Sequence, residues 1–559
     1  MANLDVLVVG AGPTGLMAAC ELRRHGLSVR VIDAASGPTT LSKAIALHAR
    51  TLEILEDVRV VDDVLSAGQQ VKGVTVIANG ETIVSADMGE LPTRYPYVLC
   101  VAQAETEAAL TKKLGSHEVS VERDAKLVSF TQDGTGVTAK LATSKGEESI
   151  RAAWMIGADG AHSTVRKQLE IPFDGSTYEE HFLLADVVVE GHLRDDRVTS
   201  FFAEDGVLAC FPMKGKRFRL IGLCPPGQVG DEPPTLEQMS ALFVRRSGLE
   251  ATLSDVRWLA QFRVHCRQVA RYRDDRVFLA GDAAHIHSPV GGQGMNTGLQ
   301  DAHNLAWKLA LVHRGAARGL LLDSYQAERH AIGSGILRNT DAATRAITLK
   351  NQVARAARNE IARFVSSFEV VQRRIAEGTA ELGVGYAGSP IVAEDTTSLL
   401  QGRIGTAAGG ETPTIGSVRE FEAGPKPGSR ARDGVVSVSG QPGAKRLLEV
   451  IDSRKHTLLL FDGKSETAEG YARFASIAQT MRTRFTNLIE PIVVTPRRTR
   501  PDGLSDDTTV VFDPDGELER AYAASTECLY LLRPDLYVGY RSQPADETKL
   551  VAYLKSIFR

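Results

Sequence analysis

At 559 residues the chain has room for roughly three or four domains, and 43% hydrophobic with 24% charged residues is the balance of a soluble globular protein. A formal net charge of −4 gives no electrostatic case for nucleic acid or an anionic membrane. Six cysteines (Cys20, Cys100, Cys210, Cys224, Cys266, Cys528) lie far apart with no CxxC pair, so they read as reduced thiols, not as a disulfide framework or a zinc site. The first strand begins at Leu4, so no leader is expected. No apolar run reaches the ~18 residues of a membrane helix, and the expected location is cytoplasmic.

Leu4–Val9 is an apolar strand interrupted by Asp5. The turn Gly10-Ala11-Gly12-Pro13-Thr14-Gly15 follows, then a helix over Leu16–Arg24 and a second strand, Leu27–Ile32, ending at Asp33. In this G-x-G-x-x-G turn Gly10 permits the tight bend, Gly12 lets a pyrophosphate approach the backbone, and Gly15 lets helix pack on strand. The helix start offers N–H donors to phosphate. Asp33 stands where a carboxylate takes ribose hydroxyls. A lone GxGxxG is weak evidence, but the strand, helix, second strand and terminal acid together specify dinucleotide binding.

Ser42–Leu55 runs from an apolar stretch into a helix that turns Leu52 and Leu55 inward. Arg50 opens this helix, either as a surface ion pair or as a contact to a cofactor pyrophosphate. Gln103 begins a further helix and either bonds the cofactor or caps. Trp154–Ala158 is a strand, Asp159-Gly160 its turn, and Ser163 the N-cap of a helix reaching Leu169. Taken alone, Asp159 also reads as turn chemistry. Short strands follow at Leu183–Val189, Val198–Phe202, Val207–Pro212 and Arg217–Cys224. Arg219 points either outward or into a pocket, and Tyr178, His181 and Phe211 are further pocket residues.

Val277–Ala280 is a buried strand that ends at Gly281-Asp282, where a carboxylate is placed to accept hydrogen bonds from a sugar-like hydroxyl. A loop with Pro289, Gly291, Gly292 and Gly294 leads into a helix carrying the apolar stripe Met295, Leu299, Ala302, Ala306 and Leu309. The pattern stays helical to about Ala380, with Tyr325, Ile336 and Phe364 apolar. Gly383–Gly410 reads as a glycine-rich linker. Leu458–Phe461, Pro491–Val494, Val510–Phe512 and Leu529–Leu532 are strands, Asp513–Gly516 is a turn, and Glu547–Ile557 is a final helix.

The GxGxxG turn, the DG pair at Asp159 and the string GDAAHIHSPVGGQGMNTGLQDAHNLAWKL match, in order and spacing, the class A flavoprotein monooxygenases with the p-hydroxybenzoate hydroxylase fold. The resemblance runs from Leu4 to about Gly385. RPDLYVGYR (Arg533–Arg541) resembles the end of the thioredoxin-like domain attached to phenol hydroxylase and aromatic polyketide hydroxylases. The implied fold is α/β, with a Rossmann-type FAD-binding domain, an inserted β-sheet substrate domain and a C-terminal thioredoxin-like domain. The implied segments are 1–175 and 270–385 for FAD, 176–269 for substrate, 386–424 as linker and 425–559 as the last domain. With Cys528 as its one cysteine, that domain is expected to be structural or dimer-forming.

The resemblance implies that Gly10, Gly12, Pro13, Thr14, Gly15 and Asp33 hold the ADP half of FAD, with Arg50 and Gln103 along it. It places Gly281-Asp282 at the ribityl chain, Pro289 and Gly291–Gly294 beside the isoalloxazine, and Gly294, Met295 and Asn296 near its pyrimidine edge. Asp159 and Arg166 serve both FAD and NAD(P)H. The implied activity is hydroxylation of a phenolic or polycyclic aromatic substrate through a flavin C4a-hydroperoxide, with NAD(P)H and O2. Baeyer–Villiger insertion, epoxidation and a flavin oxidase or dehydrogenase are the alternatives. The expected catalytic set is Pro289, Arg219 and His48. In phenol hydroxylase-like members an acid precedes the arginine matched by Arg50, and a tyrosine follows the one matched by Arg219. By spacing, Ile45 and Ile221 stand there in this chain, and neither moves a proton. Either the substrate is already acidic or another group takes the proton; His48 is the candidate for that group, with a hydrogen-bonded packing histidine as the other reading.

Overall fold

The computed structural model describes residues 4–40, 42–225, 232–288, 291–347, 369–396, 415–463 and 468–559. The chain divides into two compact units, one of residues 1–306 and 329–382, the other of residues 307–328 and 383–559.

In the first unit the apolar run Leu4–Val9 is the middle of a parallel sheet. It pairs with Val29–Ile32 on one side and with the C-terminal half of Gly146–Gly157 on the other, and Val277–Leu279 pairs parallel with the latter. Four parallel strands put their C-terminal ends on one edge. The turns that follow them carry Gly10, Asp33, Asp159 and Gly281-Asp282. Sheet direction therefore gathers motifs scattered along the chain, as expected at the carboxyl edge of an open α/β sheet. An antiparallel hairpin, Lys126–Asp133 and Gly136–Thr143, extends the sheet through the Gly146–Gly157 strand.

A second eight-stranded sheet lies in the same unit. Two strands of 19 residues, Phe173–Gly191 and Ala251–Val269, pair antiparallel, and Arg217–Leu223, Gly206–Met213 and Arg197–Ala203 continue outward. Each strand expected from the sequence in this region lies within one of these or, at Arg217–Cys224, overlaps it. The far edge comes from outside the inserted segment: Gly73–Ala78 and Glu81–Asp87 form a hairpin whose turn residues Asn79 and Gly80 have φ of 53° and 80°. Such φ values at Asn-Gly mark the tight turn that matches strand twist. At the other edge His285–Ile286, part of the GD loop, pairs with Arg267–Gln268.

The helix Gly294–His313 is more deeply placed than its stripe requires. Met295, Leu299, Ala302, Ala306 and Leu309 are buried, and so are Asn296, Gln300, Asp301 and His303. Asn296, Gln300 and Asp301 are satisfied by internal partners instead of water, and His303 lies 3.6 Å from Glu21. Beyond it, helices span Leu320–Ile347 and Glu369–Thr379. Phe364 lies outside the described residues.

The second unit is a mixed eight-stranded sheet. His456–Phe461, Ile489–Thr495 and Thr509–Phe512 run parallel, while Cys528–Leu532 and Val538–Gln543 continue antiparallel. Helices Ala468–Arg484 and Glu547–Ile557 accompany it. The expected linker contributes an edge strand, Ala393–Thr396, parallel to Val538–Gln543. The Arg533-Pro-Asp535 segment is a buried charge site: Arg533 reaches Glu328 Oε1 at 2.6 Å and Asp535 Oδ1 at 2.9 Å, and Lys308 reaches Glu328 at 2.6 Å. All six cysteines are buried and none is joined in a disulfide. Among the described residues no helix is long and apolar enough to cross a membrane.

Candidate active site

A cavity of about 570 Å³ opens along the carboxyl edge of the first sheet and reaches the second. Gly10, Gly12, Pro13, Thr14, Asp33, Gln103, Asp159, Asp282, Gly292, Gly294, Met295 and Arg219 all stand on its wall. His48, Gly15, Arg50, Arg166, Gly281 and Asn296 do not line it, and Pro289 lies outside the described residues.

The glycine turn is built by close approach. Gly10 has φ of 104°, and a Cβ there would stand 2.3 Å from the Ala158 carbonyl oxygen; one at Gly15 would stand 1.9 Å from that of Gly10. Gly12, by contrast, has no heavy atom within 4 Å of where its Cβ would be. Gly12 is the N-cap of the helix Pro13–Arg24 and no side chain caps it, so its first-turn N–H groups are open to an anion. Asp33 accepts from the Ala11 N–H at 2.7 Å and the Ala35 N–H at 2.8 Å, which fixes its carboxylate and leaves lone pairs for hydroxyls. An open glycine, an uncapped helix start and an anchored carboxylate together fit a dinucleotide.

Two motifs distant in sequence meet at Thr14. A Cβ at Gly281 (φ 59°) would fall 2.5 Å from Thr14 Oγ1, and one at Gly298 2.3 Å from it. Beside this contact Asp282 faces the cavity while protein encloses it at depth. Desolvation raises its carboxyl, against the opposing pull of His285 and Lys43. Asp159 performs turn chemistry as well as lining the cavity: it accepts from Ser163 Oγ at 2.5 Å and the Thr164 N–H at 2.6 Å, and Ser163 caps the following helix through the Arg166 N–H at 2.9 Å.

Several residues expected at the cofactor also brace the protein around the cavity. Arg50 is 1% exposed and its guanidinium meets Glu53 at 3.0 Å, so the surface ion pair of the sequence reading is a buried one. Arg166 donates to the carbonyls of Ala283 at 3.1 Å and Ala161 at 2.8 Å, bracing the DG helix on the GD loop. Gln103 accepts from the Ala44 N–H at 3.1 Å and donates to Glu107 at 2.8 Å. Asn296 is fully buried: Oδ1 accepts from the His48 N–H at 2.9 Å, and Nδ2 donates to the carbonyls of Ala46 and Gly292, both at 2.8 Å. It ties the glycine loop to the segment before Arg50.

His48 does not reach the reacting space. Its ring is 1% exposed and off the cavity wall, and burial holds its imidazole down to about 4, against the weaker pull of the Gly292 and Gly291 backbone. At neutral pH it is uncharged and a weak base, which matches the packing alternative. Arg219 faces inward. Its guanidinium forms a two-pronged pair with its cross-strand neighbour Asp186, at 2.7 and 2.6 Å, and donates to the Lys43 carbonyl at 2.9 Å. Phe211 lines the cavity as expected, but Tyr178 bonds Asp341, and His181 meets Gln261 at 2.7 Å. The sequence reading missed Asp186, Gly298, Lys43 and His287. Gly298 and His287 lie in the GD string, Lys43 in the Ser42–Leu55 stretch and Asp186 in the Leu183–Val189 strand.

The model of the FAD binding domain family matches residues 3–340. The chain is 34% identical over 561 residues to 6-methylpretetramide 4-monooxygenase of Streptomyces rimosus, covering 99% of this chain and 93% of that one. It is 38% identical over 349 residues to pentachlorophenol 4-monooxygenase of Sphingobium chlorophenolicum, covering 61% of this chain and 64% of that one. The solved anhydrotetracycline hydroxylase of Streptomyces rimosus superposes with a TM-score of 0.71 at 28% identity, over 99% of each chain. This chain belongs to the FAD binding domain family. Within that family it is an FAD-dependent aromatic monooxygenase.

Proposed function

We propose that this monooxygenase hydroxylates an electron-rich phenol, polycyclic in kind, with O2 and NAD(P)H as co-substrates. The observation that carries this reading is the continuity of one cavity, from the glycine turn at Gly12 to Phe211, Arg219 and Ile221 on the second sheet. FAD, when bound, supplies the redox chemistry and the activation of oxygen. The helix start at Gly12 takes its diphosphate, Asp33 its ribose, and Asp282 its polyol chain. The Gly292–Met295 turn lies where N–H groups at a helix start can stabilise negative charge on the reduced ring. The apolar side chains of Ile45, Phe211, Ile221 and Met295 make a wall that takes a flat ring and excludes water.

The second unit is read as thioredoxin-like in fold, on the strength of its parallel strand–helix–strand followed by an antiparallel pair and a closing helix. Its role is read as structural or dimer-forming. Burial pushes the Cys528 thiol far up, which suits an inert cysteine. The test is to purify the protein, record flavin absorbance, and screen phenolic compounds for stimulated NADPH oxidation under labelled O2. The expected product carries one atom from O2; oxygen drawn from water overturns the reading. Light scattering tests the dimer.

A further inference from the structure

We propose that Asp301 is the positioning residue that aims Asp282 at the polyol chain of FAD, an inference that rests on the role given to Asp282 above. Asp282 stands in the tight turn Gly281–Ala283, which the Ala284 N–H closes on the Gly281 carbonyl at 2.8 Å. Gly281 has φ of 59°, and a glycine gives the peptide before it little direction of its own. A rotation there swings the next residue, Asp282, so the aim of its carboxylate has to be set from outside the turn.

The helix Gly294–His313 sets it. Oδ2 of Asp301 accepts from the Gly281 N–H at 3.0 Å and meets His285 Nε2 at 2.7 Å. One oxygen thus pins both ends of the Gly281–His285 segment, with Asp282 between them. Oδ1 takes Arg329 Nε at 2.6 Å, and Arg329 also donates to the Thr297 carbonyl at 3.1 Å. Gly298, one helical turn before Asp301, stands against Thr14 and Gly281, so one face of this helix meets Gly281 at both its Cα and its N–H. Burial by itself raises the Asp301 carboxyl, but the Arg329 guanidinium, with His285, outweighs burial and keeps the group below its ordinary range. An ionised carboxylate only accepts, so His285 carries its hydrogen on Nε2. Its ring stacks on Tyr272 with centroids 5.8 Å apart and on His287 at 6.1 Å, which holds the donor in line. Asp301, Arg329 and His285 are all buried and off the cavity wall, so their effect on FAD passes through the turn they hold.

The test measures binding of FAD and of ADP to the full-length protein stripped of its cofactor. ADP carries the diphosphate and a ribose but no polyol chain, so it reports the nucleotide end alone. Asp301→Asn keeps the shape of the side chain and one acceptor. It is expected to weaken FAD binding about 10-fold, the worth of one buried hydrogen bond, with ADP binding unchanged. His285→Phe keeps a stacking ring and removes the donor, and should act alike; His285→Gln, which keeps a donor, should restore most of the loss. In a double-mutant cycle Asp301→Asn should cost nothing further once Asp282→Ala has been made. The proposal is overturned by an unchanged FAD affinity in Asp301→Asn, by FAD and ADP affinities that fall together, or by an Asp301 effect that adds in full to that of Asp282→Ala. Each of those results leaves the role of Asp282 standing. If Asp282→Ala alone leaves FAD binding intact, that role fails and takes the proposal with it.

Discussion

The two ends of the cavity are built on different principles. At the nucleotide end the working parts are backbone: Gly10 and Gly15 bring three chain segments within carbonyl contact, and the binding groups are N–H donors at an uncapped helix start. At the ring end the working parts are side chains held by other side chains. Arg219 is locked to Asp186, the glycine loop is tied down through Asn296, and His287 is stacked on His285. The nucleotide end fails by collision, because a backbone atom cannot move aside. The ring end fails by an unmatched polar group, because each support is one member of a pair.

That contrast can be broken in order of size. Arg219→Met leaves Asp186 buried without its counter-charge and is expected to lower stability by about 3–5 kcal/mol in urea denaturation. The double variant with Asp186→Leu should recover most of the loss; equal destabilisation of single and double would show that the pair is not the support. Gly15→Ala drives a Cβ into the Gly10 carbonyl, with an expected cost of about 3 kcal/mol or more. Gly12→Ala meets nothing, so apo stability should stay within about 0.5 kcal/mol while FAD affinity falls. Flavin retention beside the melting curve separates the two effects. Asn296→Ala removes three buried hydrogen bonds and should cost about 2–3 kcal/mol, visible as faster loss of FAD on gel filtration.

A further effect is set by pH. The folded-state value of His48, about 4, lies below its ordinary 6.5, so the unfolded chain takes up the proton first. Stability is therefore full above pH 6.5 and is lost as pH falls from there towards 4. At pH 5.5 the loss from this ring is about 1.4 kcal/mol, and His48→Gln should make this part of the stability–pH curve shallower. The pH dependence of hydroxylation should not move in that variant, since the ring is off the cavity wall.

Much of the nucleotide end was legible in the sequence because its causes are local. A tight turn needs glycine at fixed offsets, and Leu4–Val9 and Val29–Ile32 lie within the same short stretch. The ring end was less legible because its causes are pairings across the chain. Nothing near Arg219 announces Asp186 except the strand register that sets them opposite each other. Arg50 looked available for phosphate because its partner Glu53, one helical turn on, could be judged only once both were known to be buried. The Gly73–Asp87 hairpin did carry a local signal, Asn79-Gly80 between alternating apolar residues. It sat outside the segment where a second sheet was sought.

The clasp of Thr14 between Gly281 and Gly298 has a consequence for the order of events during synthesis. The Asn296 bond to Ala46 likewise joins groups 250 positions apart. The glycine turn leaves the ribosome early, but its strand is flanked by Gly146–Gly157, and the far wall waits for Gly281 and Gly298. Contacts of such separation close slowly, because the intervening chain must lose its freedom before they reward it. A nascent chain halted before residue 281 therefore has its dinucleotide signature on display and no pocket in which to use it. Cofactor capture falls late in the life of the folding chain, and free FAD acts on yield as a ligand that draws the last closure forward.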